Sequence, residues 1–511
     1  MANTSGRVKN TVRNIFFGYL GTVITALLGF GARKLFILRL SETLLGVNEF
    51  YTGILSALSL AELGIGTALN FSLYKPIAEN DTETIKSYMS LYKKAYRIIA
   101  ATVGVIGLAI APFLPYIVKD SADVSVRDLT LYYLIFLFNS ATSYLVAYKY
   151  SLVNAQQKSY IQTNITTVTK MVSVTAQIVI LFLTSSFYAY LLTDACVQLL
   201  QKIVVSRYLD RMYPYLEDKD VKPLSKEQTD IVKEKTASLL WLKIGDTARL
   251  QTDSIIITAF IDVATTGLVG NFNMVINTIS SFVNTIFNAA LPGFGNLIAT
   301  ESKRRQYEMF KVYRFFAVWI YGFSAVGFYI LLTPLIVIMY GEQWAMAQYI
   351  LAWIVLEYYL KGERIVVNNF KTAAGKFEQD KYLAMIQGMV NLIISIVLAI
   401  KIGLVGVYIG TVVSGVIANF VRPVIIYHDC FDMKVREYFI DSLKYHIVLL
   451  GTLVICIFLG RYTLPVISIP AFVITALMIT VIYNVIFIAA FGRSEELKYL
   501  IGIIYRRKAN K

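Results

Sequence analysis

The sequence is short of most residues that build chemistry outside a membrane. Among its 511 residues are three cysteines, two histidines and ten prolines, and only 16% of the chain is charged. Cys196, Cys430 and Cys456 are scattered and odd in number, which excludes a disulfide framework and the paired spacing of a zinc site. His428 and His446 stand without a ligating pattern around them, so neither a metal nor another cofactor is expected. Soluble domains carry roughly a quarter of their residues as charges, and the deficit here excludes an ordinary soluble globule. The loops expected outside the membrane are short as well, "KDSADVSVRD" (119–128) being the longest. That leaves no room for a catalytic domain there, and an enzyme such as a polymerase or glycosyltransferase would have to hide its acid and base groups among the spans.

What is present is apolar surface. The hydrophobic share is 57% and mean hydropathy is +0.60, and uncharged runs such as "ATVGVIGLAIAPFLPYIV" (101–118) and "MVNLIISIVLAI" (389–400) recur along the chain. A helix needs about 20 mostly apolar residues to cross the hydrocarbon. The pattern predicts an all-α integral membrane protein with about fourteen transmembrane helices. Their cores begin near Val12, Val47, Tyr88, Leu129, Ile161, Phe187, Ala237, Leu268, Val312, Leu335, Tyr382, Val405, Leu443 and Ile469. The basic N-terminal segment reads as the lead-in to an uncleaved first span. Most Lys and Arg fall in the even-numbered loops and both tails, which places the two termini on the cytoplasmic side. The net charge of +15 is then a cytoplasmic rim facing anionic lipid, with no need of nucleic acid.

The charged stretch 206–235, with two prolines, divides the chain in two. We expect an N-lobe of helices 1–6 (1–212), a cytoplasmic linker (213–235), a C-lobe of helices 7–12 (236–430) and a C-terminal pair, helices 13 and 14 with a basic tail (431–511). The two six-helix lobes carry an internal repeat. Ser56, Ser59, Glu62 and Gly66 of the second span shift by 222 positions onto Thr278, Ser281, Asn284 and Asn288 of the eighth. Such halving places transporter sites at the interface of the repeats. Helices 13 and 14 have no counterpart and read as an appendage.

The candidate site follows from polar residues at helical spacing. Asn273, Asn277, Ser281, Asn284 and Asn288 share one face of the eighth span, which can serve either interhelical hydrogen bonds or a hydrated cavity. In the seventh, Lys243, Asp246, Arg249 and Asp253 make a charged face. Thr22, Thr25, Gly29 and Arg33 stripe the first, and Glu357, Lys361, Arg364 and Asn368 the tenth. A charge at mid-membrane costs about 2.5–3.5 kcal/mol on insertion scales, so such groups face water or partners. The candidate binding residues are therefore Arg33, Glu62, Arg249, Asp253, Asn277, Ser281, Asn284, Asn288 and Arg364. Glu62 and Asp253 serve equally as counter-ions to the arginines, and Lys170 and Asp194 are expected to pair within the first lobe.

The stretches "RKLFILRLSETLLGVNEFYTGILSALSLAELGIGTALNFSLYKPIAEND" (33–81) and "KIGLVGVYIGTVVSG" (401–415) resemble the Wzx-type polysaccharide flippases of the multidrug, oligosaccharidyl-lipid and polysaccharide exporter superfamily. The resemblance implies alternating-access movement of a polyprenyl-diphosphate-linked oligosaccharide from the inner to the outer leaflet of a bacterial cytoplasmic membrane. It also implies membrane lipids, glycosyltransferases and a polymerase as partners. Relatives bind the diphosphate with cavity arginines, for which Arg33 and Arg249 are the nearest equivalents. A cation-coupled drug exporter of the same superfamily is the alternative, and coupling to a proton or sodium gradient or to the membrane potential fits either reading.

Overall fold

In a computed structural model of the chain, the structure describes residues 2–59, 65–119, 124–218, 220–230, 232, 251–288, 290–376, 382–464 and 466–509. Among them the regular elements are all helical. In chain order the helices of eight residues or more are α1 (Ala2–Arg39), α2 (Glu42–Leu58), α3 (Ile65–Glu79), α4 (Thr82–Ile110), α5 (Val126–Ala155), α6 (Ser159–Thr184), α7 (Phe187–Met212) and α8 (Asp253–Phe260). They continue as α9 (Val263–Asn288), α10 (Leu291–Thr300), α11 (Lys303–Tyr340), α12 (Gln348–Ala373), α13 (Leu383–Ile402), α14 (Leu404–Ile426), α15 (Arg436–Thr463), α16 (Ile469–Phe491) and α17 (Glu495–Ala509).

Serine sets many of the starts. Ser41, Ser125, Ser186, Ser302 and Ser468 each accept a backbone N–H from the first turn of the helix that follows, satisfying a donor that helix geometry leaves open. Between α13 and α14 the chain turns at Gly403, whose φ of 66° disfavours any side chain. Beyond it a Cβ on Gly406 would lie 2.3 Å from the Leu398 backbone, and one on Gly410 2.7 Å from the Ser395 nitrogen. The Gly-Leu-Val-Gly stretch thus works through close helix approach of the small-xxx-small kind. Gln387, Asn391 and Ser395, one turn apart on α13, hydrogen-bond across this seam to Ser414, Thr411 and Val407.

Ten helices among the described residues are long and apolar enough to cross a membrane, and the chain is a multi-pass membrane protein. The other expected spans fall on α2–α3, α7 and α12 and on residues 237–260, of which 237–250 lie outside the described residues. Of these, α7 and α12 carry charge within the span. The tenth expected span was placed too early, near Leu335. That residue belongs to α11, which continues through Pro334 to Tyr340 and stops at Gly341, φ 107°. Hydropathy cannot separate two adjoining apolar runs, and Pro is tolerated inside a spanning helix.

The helices gather into two compact units, Met1–Gly270 and Asn271–Lys511. In the first, α1 packs along α6, and α5 packs on α4 and α7. Two buried lysines pin α5 to α7. Lys149 reaches Asp210 at 2.6 Å and Ser206 at 2.7 Å, and Lys202 reaches Asn139 Oδ1 at 2.6 Å and Thr142 at 2.8 Å. Asp194 accepts hydrogen bonds from Ser173 and Asn139, whereas Lys170 is exposed and pairs with no acid among the described residues. The local pairing expected of Lys170 fails because its side chain leaves the α6–α7 seam where Asp194 sits. Residues after α7 seat on α4, with Lys86 on Asp218 at 2.7 Å and Ser87 donating to the Lys222 carbonyl at 2.7 Å.

In the second unit the last two long helices, α15 and α16, pack against α11. Phe315, Val318 and Val326 of α11 form one buried cluster with Tyr445 and Cys456 of α15 and with Ile479, Tyr483 and Phe487 of α16. Aromatic rings dominate that contact, Trp319 stacking on Phe487 with centroids 5.2 Å apart.

Candidate functional site

In the first unit the site is organised around Arg33. Its guanidinium forms an ion pair with Glu49 at 2.5 Å, the two side chains being 11% and 29% exposed, and also donates to the Gly267 carbonyl at 3.4 Å. Gly267 and Gly270 make this approach feasible. A Cβ on Gly270 would lie 2.7 Å from both Arg33 and Glu49, and one on Gly267 2.9 Å from the Gly46 nitrogen. Closer still, a Cβ on Gly46 would lie 1.8 Å from the Val263 carbonyl oxygen. Removing three side chains lets α2 and the start of α9 cross almost backbone to backbone, with the α1 arginine at the crossing. One cation is thereby fixed in a low-dielectric seam, and an ionised partner and a carbonyl offset its burial.

Along α9 in the second unit, the face foreseen from the sequence divides. Asn277, Ser281 and Asn288 are exposed, as is Thr285 between them. Among the described residues, no side-chain partner of Asn277 or Ser281 lies within hydrogen-bonding distance. Asn288 takes a 3.5 Å contact from Asn369, which also donates to the Phe287 carbonyl at 3.0 Å. Asn284 lies partly buried and accepts the Tyr321 hydroxyl at 2.6 Å. Asn284 thus joins helices firmly, while Asn277, Ser281 and Asn288 leave polar atoms open. The apolar side of α9 is used for packing, with Phe272, Val275, Ile276, Val283 and Phe287 buried.

The remaining candidates are dispersed. Arg364 is 3% exposed and donates from α12 to the Gly415 carbonyl at 2.5 Å and to Asn419 at 2.8 Å, with Glu357 3.8 Å away. Its cation holds α12 on α14. Asp253 opens α8, where an acidic group meets the positive end of the helix dipole, and its neighbour Ser254 abuts Gly53 of α2. Glu62 and Arg249 lie outside the described residues, as do Lys243 and Asp246.

Sequence reading missed two arginine–glutamate pairs. Glu49, the partner of Arg33, sits sixteen residues on, across a helix turn that periodicity does not link. In the second unit Arg314, 2% exposed, donates to Ser442 at 2.5 Å and to the Tyr438 carbonyl at 3.0 Å, and it lies over the Tyr438 ring at 3.6 Å. Ser442 in turn donates to Glu363 at 2.5 Å, and Glu363 stands 3.5 Å from Arg314 and from His446. This buried node ties α11, α12 and α15 together. No spacing in the sequence links Arg314 to Glu363, since the two stand on different helices and Glu363 lies among the charges Lys361 and Arg364.

Known structures share this architecture. The lipid II flippase MurJ in an inward closed conformation matches with a TM-score of 0.64 at 15% identity, covering 93% of this chain and 99% of that one. A multidrug resistance MATE family transporter of the MOP superfamily, in its inward-facing conformation, matches at 0.61 and 15%, covering 78% and 92%. A mutant of the Vibrio cholerae MATE transporter VcmN matches at 0.58 and 14%, covering 84% and 99%. At these identities the likeness is one of fold alone. No curated protein matches the sequence. The family described as "Polysaccharide biosynthesis protein" matches residues 11–298, more than half of the chain. On that match, this multi-pass membrane protein belongs to the polysaccharide biosynthesis protein family.

Proposed function

We propose that the chain is a flippase of the Wzx type. It carries a polyprenyl-diphosphate-linked oligosaccharide from the inner to the outer leaflet of a bacterial cytoplasmic membrane by alternating access. Two six-helix lobes and a C-terminal pair, fourteen spans in all, would do this with both termini in the cytoplasm. The observation that carries the reading is the open row Asn277, Ser281 and Asn288 on the exposed side of α9. Amides and hydroxyls left unspent in hydrocarbon are costly, and a saccharide is the cargo whose hydroxyls they match. The family membership supports the polysaccharide link, and the name of the neighbour MurJ supports a lipid-linked cargo.

In this reading Arg33 and Arg249 attract the diphosphate, with Glu49 releasing Arg33 as the anion arrives, and Glu62 and Asp253 balance charge in the empty carrier. Arg364 contributes by holding its helices in register. A fluorescent polyprenyl-diphosphate disaccharide in proteoliposomes, with a membrane-impermeant quencher, tests the proposal. Transbilayer movement dependent on the protein is expected, and it should fall at least tenfold in Arg33→Gln/Glu49→Gln and in Arg249→Gln. A protein that moves no lipid-linked sugar but exports cationic drugs would replace this reading with the exporter.

A further inference from the structure

The first unit contains a second polar cleft that the Arg33 site does not use. It is a groove of about 460 Å³ between α1, α6 and α7, within the range of roughly 300–1,000 Å³ of small-molecule sites. Glycine, threonine, glutamine and one lysine line it, without a single large apolar residue. Lys170 lies eleven residues into the 26-residue α6, about 16 Å along its axis, which puts the ammonium near the middle of a spanning helix. It is exposed to the groove and has no acidic partner among the described residues. An ammonium at that depth requires water or an anion.

The hydroxyls around it have a fixed polarity. Thr22, Thr25, Thr163, Thr166 and Thr169 each donate to a carbonyl of the preceding turn, at 2.7–3.2 Å, so toward the groove they offer acceptor lone pairs. Gln198 and Thr167 make no hydrogen bond to another described residue, leaving a carboxamide and a hydroxyl to donate. Gln201 is turned away in part, donating to Tyr150 at 3.0 Å. Many neutral acceptors, two free neutral donors and one cation are the complement of a molecule rich in hydroxyls that carries one negative charge. An inorganic anion would leave the acceptors idle, and a neutral sugar would leave the lysine unpaired.

We infer that this groove binds an acidic saccharide, a sugar bearing a phosphate or a carboxylate. Lys170 takes the charge, and the threonines of α1 and α6 accept from the sugar hydroxyls. As a part of the transport path the inference rests on the flippase reading, but as a binding site it stands alone.

The test uses the full-length protein in nanodiscs of neutral lipid. The probes are N-acetylglucosamine 1-phosphate, glucuronic acid, N-acetylglucosamine and inorganic phosphate. One readout is the rate at which a water-soluble reagent methylates the Lys170 amine, followed by peptide mass spectrometry on the unmutated protein. The other is the ligand-dependent rise in thermal midpoint. At least one acidic sugar should slow Lys170 methylation severalfold, and which of the two does so identifies the anionic group. Lys170→Gln should weaken that ligand's effect on the midpoint at least tenfold, and the near-isosteric Thr166→Val/Thr169→Val severalfold. The inference is overturned by equal protection from the neutral sugar or from inorganic phosphate, by a Lys170 amine that no aqueous reagent reaches, or by unchanged binding in Lys170→Gln. Flipping by wild-type protein without protection of Lys170 sinks the groove and leaves the flippase reading. Protection without flipping does the reverse.

Discussion

Gly46 and Gly267 meet where α2 crosses the start of α9, so closely that a side-chain carbon on Gly267 would sit 2.9 Å from the Gly46 nitrogen. They belong to two different helices and stand 221 residues apart in the sequence, and in the folded chain they are neighbours. The crossing brings Arg33 and Glu49 against the same short face of α9.

Gly46→Ala should therefore abolish or strongly reduce folded protein, since the new methyl would overlap the Val263 carbonyl oxygen and only backbone can give way. Overpacking costs about 1–3 kcal/mol where side chains can adjust, and more where they cannot. Gly267→Ala should be milder. Thermal unfolding in detergent by size-exclusion chromatography orders the two, and a Gly46→Ala protein as stable as wild type would contradict the crossing.

A double-mutant cycle at Arg33 and Glu49 should show coupling. Each single change to Gln leaves the other charge in the seam and should cost about 1.5–3 kcal/mol, the range for hydrogen bonds to charged groups. The double variant should recover most of that loss. Additive losses in the melting temperatures would mean that the two side chains do not depend on one another.

The α9 face should separate stability from transport. Asn277→Leu and Ser281→Leu remove groups with no side-chain partner among the described residues, so stability should stay within about 0.5 kcal/mol while flipping falls. Asn284→Leu should cost about 1 kcal/mol, because it strands the buried Tyr321 hydroxyl. Paired melting and flipping measurements decide the point, and loss of fold in the Asn277 variant would assign that residue to packing.

The Arg314–Glu363 node should dominate docking of α15. Glu363→Ala leaves a guanidinium buried and should destabilise by about 3–5 kcal/mol, whereas Arg314→Met/Glu363→Met should regain most of it. Thermal melts of the three proteins test this. Near-wild-type stability in Glu363→Ala would show that Ser442 and the Tyr438 ring satisfy Arg314 without the carboxylate.

How much of this was legible beforehand differs by residue. The polar row on α9 was readable because Asn277, Ser281, Asn284 and Asn288 repeat at helical spacing, and spacing is a property of one helix. Which of them bonds to a neighbour was not, since Tyr321 lies on another helix. Arg33 stood out as a cation in an apolar run, yet Glu49 did not, because its partnership depends on the angle at which α1 meets α2. Lys170 looked like half of a buried pair and lies instead on the groove side of α6. Its direction is fixed by how α1 and α7 pack beside it.

The sequence by itself determined that this chain lies in a membrane, that its regular structure is helical, and where most helices run, because hydrophobic length and periodicity act locally along the backbone. Only the tertiary structure decided which charges are paired, which asparagines are spent and where a polar groove opens. Those outcomes depend on contacts between helices far apart in the chain, where a missing Cβ at Gly46 or a rotation of one helix turns a side chain from partner to lining.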